Sequence, residues 1–158
     1  MKRIRLVVEK TKASNGVPPG WLVKLFTRIN VMVYRGSRGR WMNTLAGRPI
    51  CLVEMIGLRS QKTITIPLMY VPDSERVYLV ASQGGAPRHP AWYYNLIDNP
   101  NVVILAAGTR RVMRAEVIEG SARSKVWRRC VECYPEYEVY RTRTDREIPV
   151  FVCRPLMS

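Results

Sequence analysis

Hydrophobic and polar positions follow two different periods along this chain, and the change falls near residue 50. Within "PPGWLVKLFTRINVMVYR" the spacing is helical: Leu22, Leu25, Ile29 and Met32 share one face, and Lys24, Arg28 and Arg35 form a cationic stripe on another. Pro18, Pro19 and Gly20 supply helix-start chemistry. Two placements of this amphipathic helix stay open. It lies on an anionic bilayer with Trp21, Phe26 and Tyr34 at the interface, or it docks its apolar face on the domain core. "RGSRGR" (35–40) follows as a basic connector.

Beyond residue 50, short apolar runs bounded by turn residues predict strands over 50–56, 63–71, 76–82, 101–106, 110–118 and 148–154. Pro72, Asp73 and Ser74 predict a tight turn between the second and third strands. Residues 91–97 predict a short helix ended by "DNPN", and "SARSKVWRRCVECY" predicts a longer one capped by Ser121. Pro135 restarts a helical turn through Tyr140. Six strands with so few intervening helices do not alternate as a doubly wound sheet does. The expected fold is α+β or mainly β, a six-stranded, mostly antiparallel barrel with an N-terminal amphipathic helix and flanking short helices. A chain of 158 residues supports one structural domain, here a basic segment (1–48) followed by the barrel (49–158).

Charge adds a partner class. The chain carries 26 Lys and Arg against 12 Asp and Glu, a net charge of +14, and residues 1–60 contain acidic groups only at Glu9 and Glu54. Nucleic acid, an anionic membrane surface and a polyanionic small molecule all suit that sign. Nucleic acid is the weakest of the three, because the cations cluster at the N-terminus. "MKRIRLVVEK" is not a secretory signal, and no run approaches the roughly 20 apolar residues of a membrane span. The expected location is cytoplasmic, with a peripheral position on the inner face of the cell membrane if the helix binds lipid. Cys51, Cys130, Cys133 and Cys153 are read as reduced, buried thiols in preference to a zinc or redox site, since Cys130 and Cys133 form a lone CxxC. No metal site is expected.

Candidate chemistry is sparse. The nucleotide-binding, zinc-protease and serine-hydrolase motifs are missing, and His89 is the single histidine. An enzyme built on this chain needs a bound cofactor to carry its reaction. Two loops are suited to holding one. "GLRSQK" (57–62) offers Gly57, Arg59, Ser60 and Lys62 to an anion. "SQGGAPRHP" (82–90) places adjacent glycines before a helix whose N-terminus near Ala91 carries a favourable dipole.

These segments belong to a longer ordered set: "RIN-x-x-x-YR" (28–35), "G-x-[KR]-S" (57–60), "PL" (67–68), "AS-x-GGA" (81–86), "HP-x-WY-x-NL" (89–96), "NP-x-V" (99–102), "YP-x-Y" (134–137) and "TDR-x-IPV-x-VC-x-P" (144–155). From about Trp21 to Pro155 the chain resembles the deazaflavin (coenzyme F-420)-dependent nitroreductase and quinone reductase family of actinobacterial split β-barrel oxidoreductases. The resemblance implies a split barrel that binds the deazaflavin through Gly57, Arg59, Ser60, Lys62, Pro67, Ser82, Gln83, Gly84, Gly85, Ala86, Arg88, Ala91, Trp92 and Asn95. It implies an acceptor pocket lined by Tyr134, Tyr137, Tyr140 and Met69, with hydride transfer to a quinone or similar conjugated molecule. Such a step depends on holding donor and acceptor about 3–3.5 Å apart. Tyr137 is expected to orient the acceptor or donate a proton, since a phenol with a pKa of about 10 is protonated at neutral pH. Ser82 is expected to hydrogen-bond the acceptor or the cofactor ring.

The sequence also departs from the family pattern. Leu58, Gln61, Ile64 and Gln83 stand where the family carries Arg, Gly, Arg and Lys, and losing cations weakens an anion site. Arg59, Lys62 and Arg88 are placed to compensate. Two alternatives follow: a barrel that has given up this cofactor for a fatty acid or other lipid, and one that uses flavin mononucleotide (FMN). A homodimer is a further expectation.

Overall fold

The structure is a computed structural model in which residues 31–33, 36, 44, 45 and 47–156 are described. Residues 31–33 and Gly36 are helical; the rest of the expected N-terminal helix and basic connector lies outside the described residues. The strands are β1 (Thr44–Leu45), β2 (Arg48–Ile56), β3 (Thr63–Met69), β4 (Val71–Asp73), β5 (Arg76–Val80), β6 (Asn101–Ala106), β7 (Thr109–Val117) and β8 (Val150–Pro155). The helices are α1 (Ala91–Asp98), α2 (Gly120–Cys133) and α3 (Glu136–Arg141), and a 3₁₀ turn covers Gln83–Gly85.

Every ladder is antiparallel. Seven strands form the main sheet in the order β3-β2-β6-β7-β8-β5-β4, and the two-residue β1 pairs with the first residues of β2. That hairpin spans the expected boundary at residue 48. The ends of the path, β3 and β4, are successive pieces of one run interrupted at Tyr70, whose N–H donates to Pro49 O at 3.4 Å. The sheet bends back on itself there without a closing ladder.

Six expected strands therefore become eight. The run 63–71 divides because β3 pairs with β2 whereas β4 pairs with β5, so a single strand changes partners at Tyr70. The expected turn at 72–74 also moves: Pro72 and Asp73 belong to β4, opposite Val77 and Arg76, and Ser74 turns the chain at φ 55°. Ser121 does not cap α2. Glu119 occupies the cap position, and Gly120, at φ 63°, enters the helix.

Period-two alternation sorts each strand between two clusters. Cys51, Val53, Met55, Val77, Leu79, Val102, Ile104, Met113, Ala115, Phe151 and Cys153 point into the bend of the sheet and meet Leu96 of α1. Tyr78, Val80, Val150 and Val152 point outward and are covered by Trp127, Cys130 and Tyr137 of α2 and α3. A third patch joins Ile50 and Leu52 to Met69, Leu105 and Val31. Burial on both faces explains why β5 and β8 read as continuous apolar runs. All four cysteines are free; Cys51, Cys130 and Cys153 are buried as expected, but Cys133 is exposed.

Candidate functional site

Both candidate loops border α1. Trp92, Tyr93 and Leu96 seat this helix on the interior cluster, with the Trp92 and Tyr93 ring centroids 5.8 and 5.7 Å from that of Phe151. The helix presents Asn95 to the first loop. Asn95 is 8% exposed; its Oδ1 accepts from Leu58 N–H at 2.9 Å, and its Nδ2 lies 3.6 Å from Met55 Sδ. Its side chain is therefore spent on positioning the loop between β2 and β3. Within that loop Gly57 N donates to Lys62 O at 2.9 Å and Gln61 N to Gly57 O at 2.8 Å. A Cβ on Gly57 would stand 2.6 Å from Ser60 Oγ, so a larger residue there would turn the Ser60 hydroxyl aside.

The second loop leaves β5 at Ala81 and Ser82. Gln83, Gly84 and Gly85 all have positive φ, at 48°, 64° and 81°. The two glycines do different work. A Cβ on Gly84 would meet nothing within 4 Å, whereas one on Gly85 would lie 2.5 Å from Tyr140 O and 2.7 Å from Arg143 Cβ. Gly84 faces open space, and Gly85 lets the loop press against the end of α3.

Arg146, to which the sequence reading assigned no role, holds this loop together. Its Nε donates to Ala86 O at 2.8 Å, its Nη2 to Ser82 O at 2.8 Å and Ala81 O at 3.2 Å, and its Nη1 lies 3.0 Å from His89 Nδ1. A guanidinium has only donors, so His89 Nδ1 accepts and the imidazole is neutral. Burial first, and then the Arg146 charge, lower the His89 pKa. His89 also stacks on Tyr93, with centroids 4.2 Å apart. It is a fixed link between loop and helix, reaching a partner fifty-seven residues away rather than a local one. The matching segment "TDR-x-IPV" contained Arg146, but its partners are distant in sequence.

The tyrosines form one ring cluster. Tyr134 and Tyr137 centroids are 4.9 Å apart, and Tyr134 OH and Tyr140 OH are 3.2 Å apart. Tyr137 is 2% exposed and its pKa is pushed up, first by burial. The half-buried pair Tyr134 and Tyr140 borders the glycine loop: Arg143 lies over the Tyr140 ring at 5.3 Å and donates to Gly84 O at 3.4 Å. The hydrogen bond to Tyr140, followed by burial, raises the Tyr134 pKa to about 12. Met69 packs in a separate cluster, with Ile50 and Leu52.

A model of the F420H(2)-dependent quinone reductase family matches residues 26–155. The chain belongs to this family. An F420H(2)-dependent quinone reductase of Mycobacterium tuberculosis is 33% identical over 129 residues, covering 79% of this chain and 87% of the relative. Among solved structures, the F420-H2 dependent reductase FDR-A is 41% identical with a TM-score of 0.63, covering 68% of this chain and 95% of that one. Another, described as a domain-swapped dimer, is 35% identical with a TM-score of 0.64, covering 81% and 100%.

Within this quinone reductase family member, the four departures from the expected pattern take distinct places. Leu58 is 41% exposed, and its backbone N–H is held by Asn95. Gln61, at a position expected to be glycine, adopts φ 53° and donates from Nε2 to Leu58 O at 2.8 Å. Ile64 packs on the interior cluster. Gln83 is exposed in the 3₁₀ turn. Arg59, Lys62 and Arg88 are exposed and make no ion pair among the described residues. No helix among the described residues is long and apolar enough to cross a membrane.

Proposed function

We propose that this family member is a reduced-deazaflavin (coenzyme F-420)-dependent oxidoreductase acting on a quinone or similar conjugated acceptor. The observation that carries this reading is the pair of loops bordering α1, one held by Asn95 and the other by Arg146, with Arg59, Lys62 and Arg88 left unpaired around them. The bent sheet is then the body of a split barrel.

The residues present suit the cofactor. Three unpaired cations match a phosphate and an acidic tail, and the open face of Gly84 admits a flat ring without a Cβ in its way. Ser82 is 8% exposed, and its hydroxyl makes no hydrogen bond among the described residues, so it can serve the ring or the acceptor. Arg59, Ser60, Lys62 and Arg88 would hold the anionic part, while Ser82, Gly84 and Ala86 would border the ring. When bound, the reduced deazaflavin supplies the hydride. The chain's own contribution is orientation and a retained proton: Arg146 keeps the loop in one shape, and the Tyr134 hydroxyl, hydrogen-bonded to that of Tyr140, keeps its proton beside it to donate to an acceptor oxygen. Tyr137 supports that pair from the core. A homodimer belongs to the same reading, supported by the relative described as a domain-swapped dimer.

The test is a fluorescence titration of the full chain with coenzyme F-420, with FMN in parallel, followed by quinone reduction with the reduced deazaflavin. Saturable binding of the deazaflavin is expected. The combined variant Arg59→Gln, Lys62→Gln, Arg88→Gln should weaken it about tenfold or more. Binding of FMN alone, or of neither, overturns the proposal.

A further inference from the structure

On the outer side of the sheet, α2 and the β4–β5 hairpin enclose a cleft of about 510 Å³. That volume lies in the range of small-molecule sites, about 300–1,000 Å³. One wall is a helical stripe, Ala122, Lys125, Val126, Arg129 and Glu132, with Arg128 beside it; the other consists of Asp73, Arg76 and Tyr78.

The charges in this cleft are not balanced. Both Asp73 oxygens are occupied: Tyr78 OH donates to Oδ2 at 2.6 Å, and Arg129 Nη2 reaches Oδ1 at 3.2 Å. Arg129 also donates to Pro72 O at 3.0 Å, which fixes α2 to the hairpin. The hydrogen bond from Tyr78, and then the charges of Arg129, Arg76 and Lys125, hold the Asp73 carboxyl below the usual carboxylate range. Arg76, Lys125 and Arg128 form no ion pair among the described residues. Opposed to them is Glu132 alone, which leaves two net positive charges in a concave, walled site. A phosphate monoester carries about −1.5 to −2 at neutral pH.

We propose that the cleft between α2 and the β4–β5 hairpin binds a ligand through a phosphate or diphosphate group held by Arg76, Lys125 and Arg128. The site is built from other residues than the α1 loops and is independent of the deazaflavin reading. Arg129 acts as its frame, because its guanidinium is already committed to Asp73 and Pro72. Ala122 lines the cleft with no more than a methyl group.

The test uses the full chain titrated with inorganic diphosphate at low and at physiological salt, with amide chemical shifts read by NMR. Saturable binding is expected, with shifts concentrated at 73–78 and 122–132. The combined variant Arg76→Gln, Lys125→Gln, Arg128→Gln should raise the Kd about tenfold or more. Ala122→Phe should also weaken binding, by filling the cleft without altering charge. A control lowering the charge equally on β7 and β8, Arg110→Gln, Arg114→Gln, Arg154→Gln, should bind nearly as the parent does. Flotation with phosphatidic acid vesicles, against phosphatidylcholine vesicles, separates a lipid headgroup from a soluble phosphate as the source. No saturable diphosphate binding, or equal loss in the β7 and β8 control, overturns the proposal.

Discussion

Arg146 Nη1 donates to His89 Nδ1 at 3.0 Å, joining the segment that precedes β8 to the loop that precedes α1. The same guanidinium serves the carbonyls of Ala81, Ser82 and Ala86, so one side chain determines the shape of the glycine loop.

Replacing Arg146 by Ala strips three carbonyls and an imidazole nitrogen of their donor at once. The expected loss is about 2–3 kcal/mol of stability by denaturant unfolding, with faster amide exchange over 82–89. Arg146→Lys should recover only part of this, because an ammonium cannot reproduce the planar fork. Unchanged exchange in the loop would refute the clamp.

The His89 contact also has a pH signature. Its folded pKa is depressed below the ordinary histidine value of about 6.5, so its stabilising contribution is fully present above that value and is lost as pH falls through the lower folded pKa. Protonated His89 can no longer accept from Arg146. Stability should therefore fall as pH drops below about 6.5, and His89→Gln, which keeps an acceptor but does not titrate, should flatten that limb of the curve. Thermal unfolding of both proteins across the range measures it.

Gly84 and Gly85 should respond differently to the same methyl group. Gly84→Ala meets open space and costs about 1 kcal/mol for its left-handed backbone. Gly85→Ala adds an overlap with Tyr140 O, for a total of about 3 kcal/mol. Equal midpoints in denaturant would contradict the packing of this loop on α3.

Asn95→Ala should release the Leu58 N–H and cost about 1–3 kcal/mol. Exchange protection at Leu58 is the discriminating measurement, since general loosening of α1 would leave the loop between β2 and β3 as protected as its neighbours.

How much of this was legible in order along the chain depends on the range of the interaction. Short apolar runs located the strand from Ile50 to Ile56, and turn-forming residues located both loops and the start of α1, because those signals act over a few residues. The ordered motifs pointed to the family that the chain proved to share. Tertiary structure alone decided which strand each run pairs with, and hence the break at Tyr70 that divides one expected strand into two and, with the added β1, turns six strands into eight. It also decided that Asn95 spends its amide on Leu58, that Tyr137 is buried beneath Tyr134 and Tyr140, and that Arg146 meets His89. A side chain's periodicity says which face it occupies; its hydrogen-bond partner depends on which distant segment the folded sheet brings against that face.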